Sequence, residues 1–346
     1  MNKKNRKLGD KNHSLLTFLL QKKNCFYPEC LDFVILFPNF DALFDQNFIV
    51  MNRQTITAAA KSGKILVSDG AWGTYLQLKG LQAGECPEGW NLTHPDSVRE
   101  IARSYIDAGA DMIQTNSLGG SYLKLKYYGL SDRVSEINET AARLSREIAG
   151  DDHWVIGSVG PTGKMLCMGD VTEEELHEAF KTQAVALEKG GADAACIETM
   201  IDVDEALIAI RAAKENTMLE IICTFTFDPV GNNEYRTMMG VSPAEVAIAC
   251  TNAGADVIGT NCGNGMEHMI NIVAQMKEAV PDALILVHAN AGLPEIRNNE
   301  SVYPETPEQM AALIPQILDA GANIIGGCCG TTPAHIAKIK EKVQCL

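Results

Sequence analysis

Three cysteines carry the densest chemistry in this sequence. Cys262 closes Gly259-Thr-Asn-Cys262, and Cys328-Cys329 sit inside Gly326-Gly-Cys-Cys-Gly330. Three soft thiolates suit Zn²⁺, which takes sulfur ligands at about 2.3 Å in a tetrahedral shell and can leave its fourth position to a substrate. Neighbours in a regular strand point to opposite faces, so Cys328 and Cys329 can share one ion only where a strand ends. Gly326, Gly327 and Gly330 supply backbone freedom for that. The plainer reading is that these are small buried hydrophobes, as free cysteines often are. The other cysteines fit it better: Cys196 and Cys223 fall within predicted strands and Cys250 within a helix. Cys86 and Cys167 fall in loops, Cys345 at the chain end, and Cys25 and Cys30 in an atypical first segment.

Two carboxylates, Asp69 and Glu198, close apolar runs. They suit binding of an ammonium group or general acid–base work, and equally helix capping or a salt bridge. The seven histidines add little: there is no His-Glu-x-x-His motif, His177, His268 and His335 fall on helices as surface positions, and His288 lies near a strand end.

The elements that must position these groups repeat one phrase. Gly109-Ala-Asp-Met-Ile-Gln-Thr-Asn, Gly191-Ala-Asp-Ala-Ala-Cys-Ile-Glu, Gly254-Ala-Asp-Val-Ile-Gly-Thr-Asn and Gly321-Ala-Asn-Ile-Ile-Gly-Gly-Cys each put a glycine after a helical stretch and before a short apolar run. Such glycines suit the left-handed position that ends a helix, and such runs suit buried parallel strands. Four more strands interleave at Ile65–Asp69, Trp154–Gly160, Ile221–Phe227 and Leu284–Ala289. Helices are predicted over Pro95–Ala108, Val134–Ala149, Glu173–Lys189, Val203–Glu215, Pro243–Ala253, Met266–Val280, Pro307–Ala320 and Pro333–Val343. Four of these open with Pro at the first helical position, after His94, Ser242, Thr306 and Thr332.

Eight alternating units predict an α/β fold, a single-domain (β/α)8 TIM barrel. The runner-up, an open doubly wound sheet, would usually show a glycine-rich phosphate turn, and neither G-x-G-x-x-G nor G-x-x-x-x-G-K-[ST] follows any strand. In a barrel, active groups lie where strands end. That places the cysteines, from the sixth and eighth strands, at one mouth with Asp69 from the first and Glu198 from the fourth.

Length and charge narrow the class. The chain has 346 residues, 46% hydrophobic and 21% charged, with a formal net charge of −15. The negative balance opposes attraction to nucleic acid or anionic membrane, and no apolar run approaches the roughly 20 residues a bilayer span requires. Eleven cysteines at irregular spacing favour reduced thiols or metal ligands in a cytoplasmic enzyme. Residues 1–50 differ: they hold seven of the ten phenylalanines and a net charge of +2, without steady periodicity. They read as a disordered or mistranslated extension, with Met51 as the natural start and residues 51–346 as the barrel.

The motifs together resemble the homocysteine S-methyltransferase family: Asp69-Gly-Ala-Trp-Gly-Thr74, Trp90-Asn-Leu-Thr-His-Pro-Asp96, Gly157-Ser-Val-Gly-Pro161, Gly259-Thr-Asn-Cys262, Asn290-Ala-Gly-Leu-Pro294 and Gly326-Gly-Cys-Cys-Gly-Thr331. The likeness covers about 61–343 and is nearest to the homocysteine-binding module of cobalamin-dependent methionine synthase. It implies a (β/α)8 barrel whose Cys262, Cys328 and Cys329 hold zinc, with the homocysteine sulfur in the open position and methionine as product. It further implies that Asp69 and Glu198 bind the amino group, with the Gly70-Ala71 backbone near the substrate carboxylate. Thr115, Asn116, Asn261 and Asn290 would shape the pocket.

Two positions depart from the family pattern. Trp72 stands where that module commonly has Met, and Ala289 where Pro usually precedes Asn-Ala-Gly. The chain stops three residues past its last predicted helix, without folate- or cobalamin-binding domains. The expectation is a methyltransferase supplied by a separate methyl-corrinoid protein or by a small onium donor. The alternatives are a different thiol acceptor or a non-catalytic zinc-binding barrel subunit.

Overall fold

Eight strands alternate with helices along the chain: β1 (Leu66–Val67), β2 (Met112–Gln114), β3 (Trp154–Val159), β4 (Ala194–Met200), β5 (Glu220–Phe225), β6 (Val257–Gly265), β7 (Ile285–Asn290) and β8 (Ile324–Gly327). The structure, a computed structural model, describes residues 54–297 and 300–346. Neighbouring strands run β1-β8-β7-β6-β5-β4-β3-β2, and every ladder is parallel. The ring closes between β1 and β2, where the Asp111 N–H donates to the Val67 carbonyl at 2.7 Å and the Val67 N–H donates to Asp111 Oδ2 at 2.9 Å. This is the expected (β/α)8 barrel. The reading of 1–50 as an extension, and of Met51 as the start, concerns residues outside those described.

The two-residue period of a strand sorts its apolar side chains into two clusters. Leu66, Met112, Ile156, Cys196, Ile222 and Leu286 pack inside the barrel, while Val67, Ile113, Val155, Ile197, Ile221 and Val287 pack outward against the helices. Further along the inward rows come the buried Gln114, Ser158, Glu198, Asn261, His288 and Asn290, so the inner wall turns polar towards the mouth. The opposite end is closed by the helix Ile56–Lys61, whose Ile56, Ala59 and Ala60 join the interior cluster. Glu220 holds that helix by accepting from the Ile56 N–H (2.6 Å), the Thr57 N–H (2.9 Å) and Thr57 Oγ1 (2.5 Å).

Helix boundaries follow the local chemistry. Helices start at Pro95, Pro243, Pro307 and Pro333, and Ser242, Thr306 and Thr332 each form a reciprocal cap with the residue three positions on. Gly109, Gly191, Gly254 and Gly321 have φ of 94°, 99°, 93° and 112°, the left-handed geometry expected of them.

Some expectations needed correction. The segment Pro307–Ala320 is two helices, Pro307–Ala312 and Ile314–Asp319, because Pro315 has no N–H to continue the first. His335 is buried rather than on the surface: its Nδ1 lies 3.0 Å from Thr332 Oγ1 and its Nε2 lies 2.9 Å from the Glu305 carbonyl. Two hairpins also went unforeseen, Asp228–Gly231 with Glu234–Arg236 and Glu295–Arg297 with Glu300–Val302. The first turns on Asn232-Asn233, both at positive φ, a conformation Asn tolerates. No helix among the described residues is long and apolar enough to cross a membrane.

Candidate functional site

Cys262, Cys328 and Cys329 converge at the mouth with their sulfurs all within 4.8 Å of one another. Cys262 Sγ lies 3.8 Å from Cys329 Sγ, the separation of two sulfurs each about 2.3 Å from one tetrahedral ion. The backbone departs from regular strand at both places. Strand β6 runs past Asn261 to Gly265 with a register shift against β7 between those residues. Cys262 lies in that irregularity with φ of 57°, a left-handed conformation costing roughly 1–2 kcal/mol for a side-chain-bearing residue. Strand β8 ends at Gly327, and the Cys328 N–H then donates to the Ala289 carbonyl at 2.7 Å.

The glycines around the pair do different jobs. Only Gly330 takes a positive φ, 79°. Gly326 and Gly327 are close-approach positions: a Cβ at 326 would meet the Asp69 carbonyl at 2.7 Å and His288 Cδ2 at 2.8 Å, and one at 327 would collide with Thr331.

The cluster's electrostatics fit a cation. Hydrogen bonds from Cys262 and then Cys328 hold Cys329 down to about 3, whereas hydrogen bonding to Cys262 and Cys329, reinforced by burial, pushes Cys328 up. Left to themselves, contacting thiols favour a single thiolate held by its neighbours. A divalent ion bound by all three would remove that competition, and a sulfur-only donor set favours zinc among the common ions.

The two acids lie beside this cluster on the polar upper wall. Asp69 Oδ2 accepts from the Gln114 N–H at 2.7 Å and from Trp72 Nε1 at 2.8 Å, and Oδ1 accepts from Ser68 Oγ at 3.2 Å. Glu198 Oε1 accepts from Gln114 Nε2 at 2.6 Å and from Ser158 Oγ at 2.5 Å. Burial raises both carboxyls, Asp69 to about 7. Among the described residues no cationic side chain pairs with either, so an incoming ammonium group would meet two buried acceptors without a competitor.

Other anticipated positions divide. Asn261 is central to the wall: its Oδ1 accepts from the Thr199 N–H (2.8 Å) and Thr224 Oγ1 (2.7 Å), while its Nδ2 donates to Thr199 Oγ1 (2.8 Å) and reaches Glu198 Oε2 at 3.5 Å. Thr199, like Cys262, has positive φ, at 60°. Asn290 is buried with Oδ1 lacking a partner, a free acceptor on the inner wall. Gly70 leaves no room for a side chain between Thr331 and Tyr105, and the Ala71 N–H donates to Thr331 Oγ1 at 3.0 Å. Thr115 and Asn116 are engaged elsewhere. Thr115 Oγ1 accepts from the Ser158 N–H at 3.0 Å, and Asn116 Nδ2 donates to the Pro87 carbonyl at 2.7 Å and Asn91 Oδ1 at 3.0 Å.

Sequence reasoning missed Gln114, Ser158, Thr331 and Tyr303 as site residues, and treated Trp72 only as a departure. The first two were findable, since each stands two places beyond an inward apolar residue of its strand. Tyr303 was not: it arrives from the connection after β7, and its ring lies against Gly330, next to Cys329.

Comparison with known proteins agrees with this architecture. A family model described as homocysteine S-methyltransferase matches residues 66–343. Methionine synthases of Mycobacterium tuberculosis (strain ATCC 25618 / H37Rv) and Mycobacterium leprae (strain TN) are 30% identical over 302 and 303 residues, covering 82% and 81% of this chain. The chain spans only 25% and 24% of those relatives' length. Among solved structures, the metallated form of the homocysteine methyltransferase MmuM from Escherichia coli superposes with a TM-score of 0.66 at 23% identity, covering 88% of this chain and 100% of that one. Its oxidized form gives 0.65 at 24% identity, covering 80% and 96%.

Proposed function

The chain belongs to the homocysteine S-methyltransferase family, and from that premise we propose that it methylates the sulfur of homocysteine to give methionine, with Cys262, Cys328 and Cys329 as the ligands of a catalytic zinc ion. The observation that carries this reading is the meeting of three sulfurs within 4.8 Å at the strand ends, on the same wall as two buried carboxylates. When bound, zinc would supply a Lewis acid that keeps an incoming thiol deprotonated at neutral pH.

The protein's own residues do the rest. Asp69 and Glu198 bind the ammonium end of the amino acid, held at fixed spacing by Gln114. Trp72 and Ser158 donate to the same carboxylates and fix their orientation. Asn290 Oδ1 offers a further acceptor in the pocket. Holding the ammonium end fixes where the sulfur lies, so recognition and alkylation are set by one wall of the barrel. Methyl transfer to sulfur needs no proton relay at carbon, consistent with a pocket whose acids serve binding.

The methyl group would come from a separate methyl-corrinoid protein or from a small onium compound. Purified protein should be assayed for methionine formation with homocysteine and a panel of onium donors, then with methylcobalamin, before and after zinc chelation. Turnover with an onium compound alone identifies that donor class. Turnover only with the corrinoid identifies the other. Zinc-dependent methylation of a different thiol but not of homocysteine would replace the acceptor, and zinc binding that homocysteine does not perturb would favour a non-catalytic barrel.

A further inference from the structure

The proposed acceptor is held at two points, its ammonium end by the acids and its sulfur by the metal, so the span between them decides which chain length fits. That span crosses the seam between β1 and β8. The Gly327 N–H donates to the Asp69 carbonyl at 2.8 Å, tying the acid to the residue just before Cys328. Above it the turn Cys328-Cys329-Gly330-Thr331 closes, with the Thr331 N–H donating to the Cys328 carbonyl at 3.1 Å. Gly330 supplies the positive φ, 79°, that the third place of a type II turn requires. From this turn the buried Thr331 hydroxyl acts in both directions. It donates to the Cys328 carbonyl at 2.7 Å and accepts from the Ala71 N–H at 3.0 Å. The Ala71 carbonyl in turn accepts from Tyr105 Oη at 2.7 Å, and Gly70 has no room for a side chain between Thr331 and Tyr105.

We propose that Thr331 is a positioning residue that sets the chain length of the acceptor: by joining Ala71 to Cys328 through one hydroxyl, it fixes how far Asp69 stands from the metal ligand. Both contacts share a single oxygen, so movement of either segment breaks one of them. A buried N–H left without its acceptor bears its full desolvation cost, which keeps the spacing narrow. Glu198 follows Asp69 through Gln114, so the two acids keep one spacing to the cysteine turn. An amino-acid thiol one methylene shorter than homocysteine then cannot reach both points without strain, and one methylene is worth roughly 10- to 200-fold in a fitted site.

This inference rests on the proposed function, and the test separates the two. Thr331→Val keeps the shape and removes the hydroxyl, whereas Thr331→Ser keeps the hydroxyl and removes a methyl. Thr331→Ala repeats the deletion without bulk should the valine variant not fold. Calorimetry on the zinc-loaded full chain would give the ratio of the cysteine Kd to the homocysteine Kd. The parent should favour homocysteine by roughly 10- to 200-fold. Thr331→Val should lower that ratio at least about fivefold with zinc content unchanged, and Thr331→Ser should hold it within about twofold. In the metal-free chain, amide exchange across 69–73 and 328–331 should quicken at least about fivefold in Thr331→Val and not in Thr331→Ser. An unchanged ratio in Thr331→Val, an equal loss for both thiols, or a serine variant as impaired as the valine one overturns the proposal. So does loss of zinc from Thr331→Val, because Thr331 would then build the metal site rather than space it. A parent that binds neither thiol sinks the acceptor reading and this role together, whereas an unchanged ratio in a parent that binds homocysteine sinks only the role of Thr331.

Discussion

Asp69 and Glu198 are joined through one residue: Gln114 gives its backbone N–H to Asp69 Oδ2 at 2.7 Å and its side-chain Nε2 to Glu198 Oε1 at 2.6 Å. Two like charges buried on one wall repel, and a shared neutral donor holds them in register without neutralising the pocket. Replacing Gln114 by Met keeps length and apolar bulk but leaves Glu198 with one strong donor, Ser158. Loss of a hydrogen bond to a charged group costs about 1.5–3 kcal/mol. Gln114→Met should therefore weaken acceptor binding about 10- to 100-fold, read as a rise in KM or by calorimetry, with kcat changed much less. An unchanged KM would remove Gln114 from the binding wall.

The protonation of Asp69 sets a pH dependence. Burial, opposed by the Gln114 and Trp72 hydrogen bonds, raises its carboxyl from 3.8 to about 7. In the proposed role it is the ionised form that binds an ammonium group, so acceptor affinity should fall as pH drops below about 7, and Asp69→Asn should abolish that step. For stability the sign is opposite. The unfolded carboxyl ionises near 3.8 while the folded one keeps its proton to about 7, so this group's contribution is full below about 4 and is lost as pH rises through 7. Trp72→Phe removes a donor to the charged form and should move the binding midpoint upward. A midpoint that stays put would show that the indole N–H does not act on Asp69.

Each of the three proposed metal ligands should be separately indispensable. Cys262→Ala, Cys328→Ala and Cys329→Ala should each lose stoichiometric zinc while keeping a far-ultraviolet circular dichroism spectrum like that of the parent, because the barrel's apolar clusters lie below the mouth. Full zinc content in any one variant, by atomic absorption, would exclude that cysteine as a ligand.

The closed end of the barrel offers a control remote from the chemistry. Glu220→Ala removes the acceptor of two N–H groups and one hydroxyl at the start of the helix Ile56–Lys61. A loss of about 1–3 kcal/mol is expected, read from the urea midpoint, with metal content unchanged. An unaltered midpoint would mean that this helix contributes nothing to barrel stability.

Much of the architecture was legible because β/α repetition is written in short-range chemistry. The Gly-Ala-Asp phrases mark where helices stop, and proline after Ser or Thr marks where they start. Two-residue alternation then separates the interior from the helix-facing layer. Cys262, Cys328 and Cys329 stood out as candidate ligands because strand ends in a barrel share a mouth. What was hidden depends on chain crossing between units. The positions of Thr331 and Tyr303 follow from loops after β8 and β7 folding over Gly70 and Gly330, contacts with no local periodicity. Thr115 and Asn116 had the right address, but the Thr115 hydroxyl accepts from the Ser158 N–H of β3 and the Asn116 side chain turns to the loop carbonyl of Pro87. Pro315 and the hairpin at Asn232-Asn233 carried local signals that the eight-unit pattern overshadowed.

Zinc K-edge X-ray absorption on the purified full-length chain, with and without homocysteine, tests the central claim most directly. The account predicts one zinc per chain bound by the three cysteine sulfurs at about 2.3 Å, with a fourth sulfur joining when homocysteine is added. A zinc shell that lacks the three sulfurs, or whose sulfur count does not change with homocysteine, would contradict it.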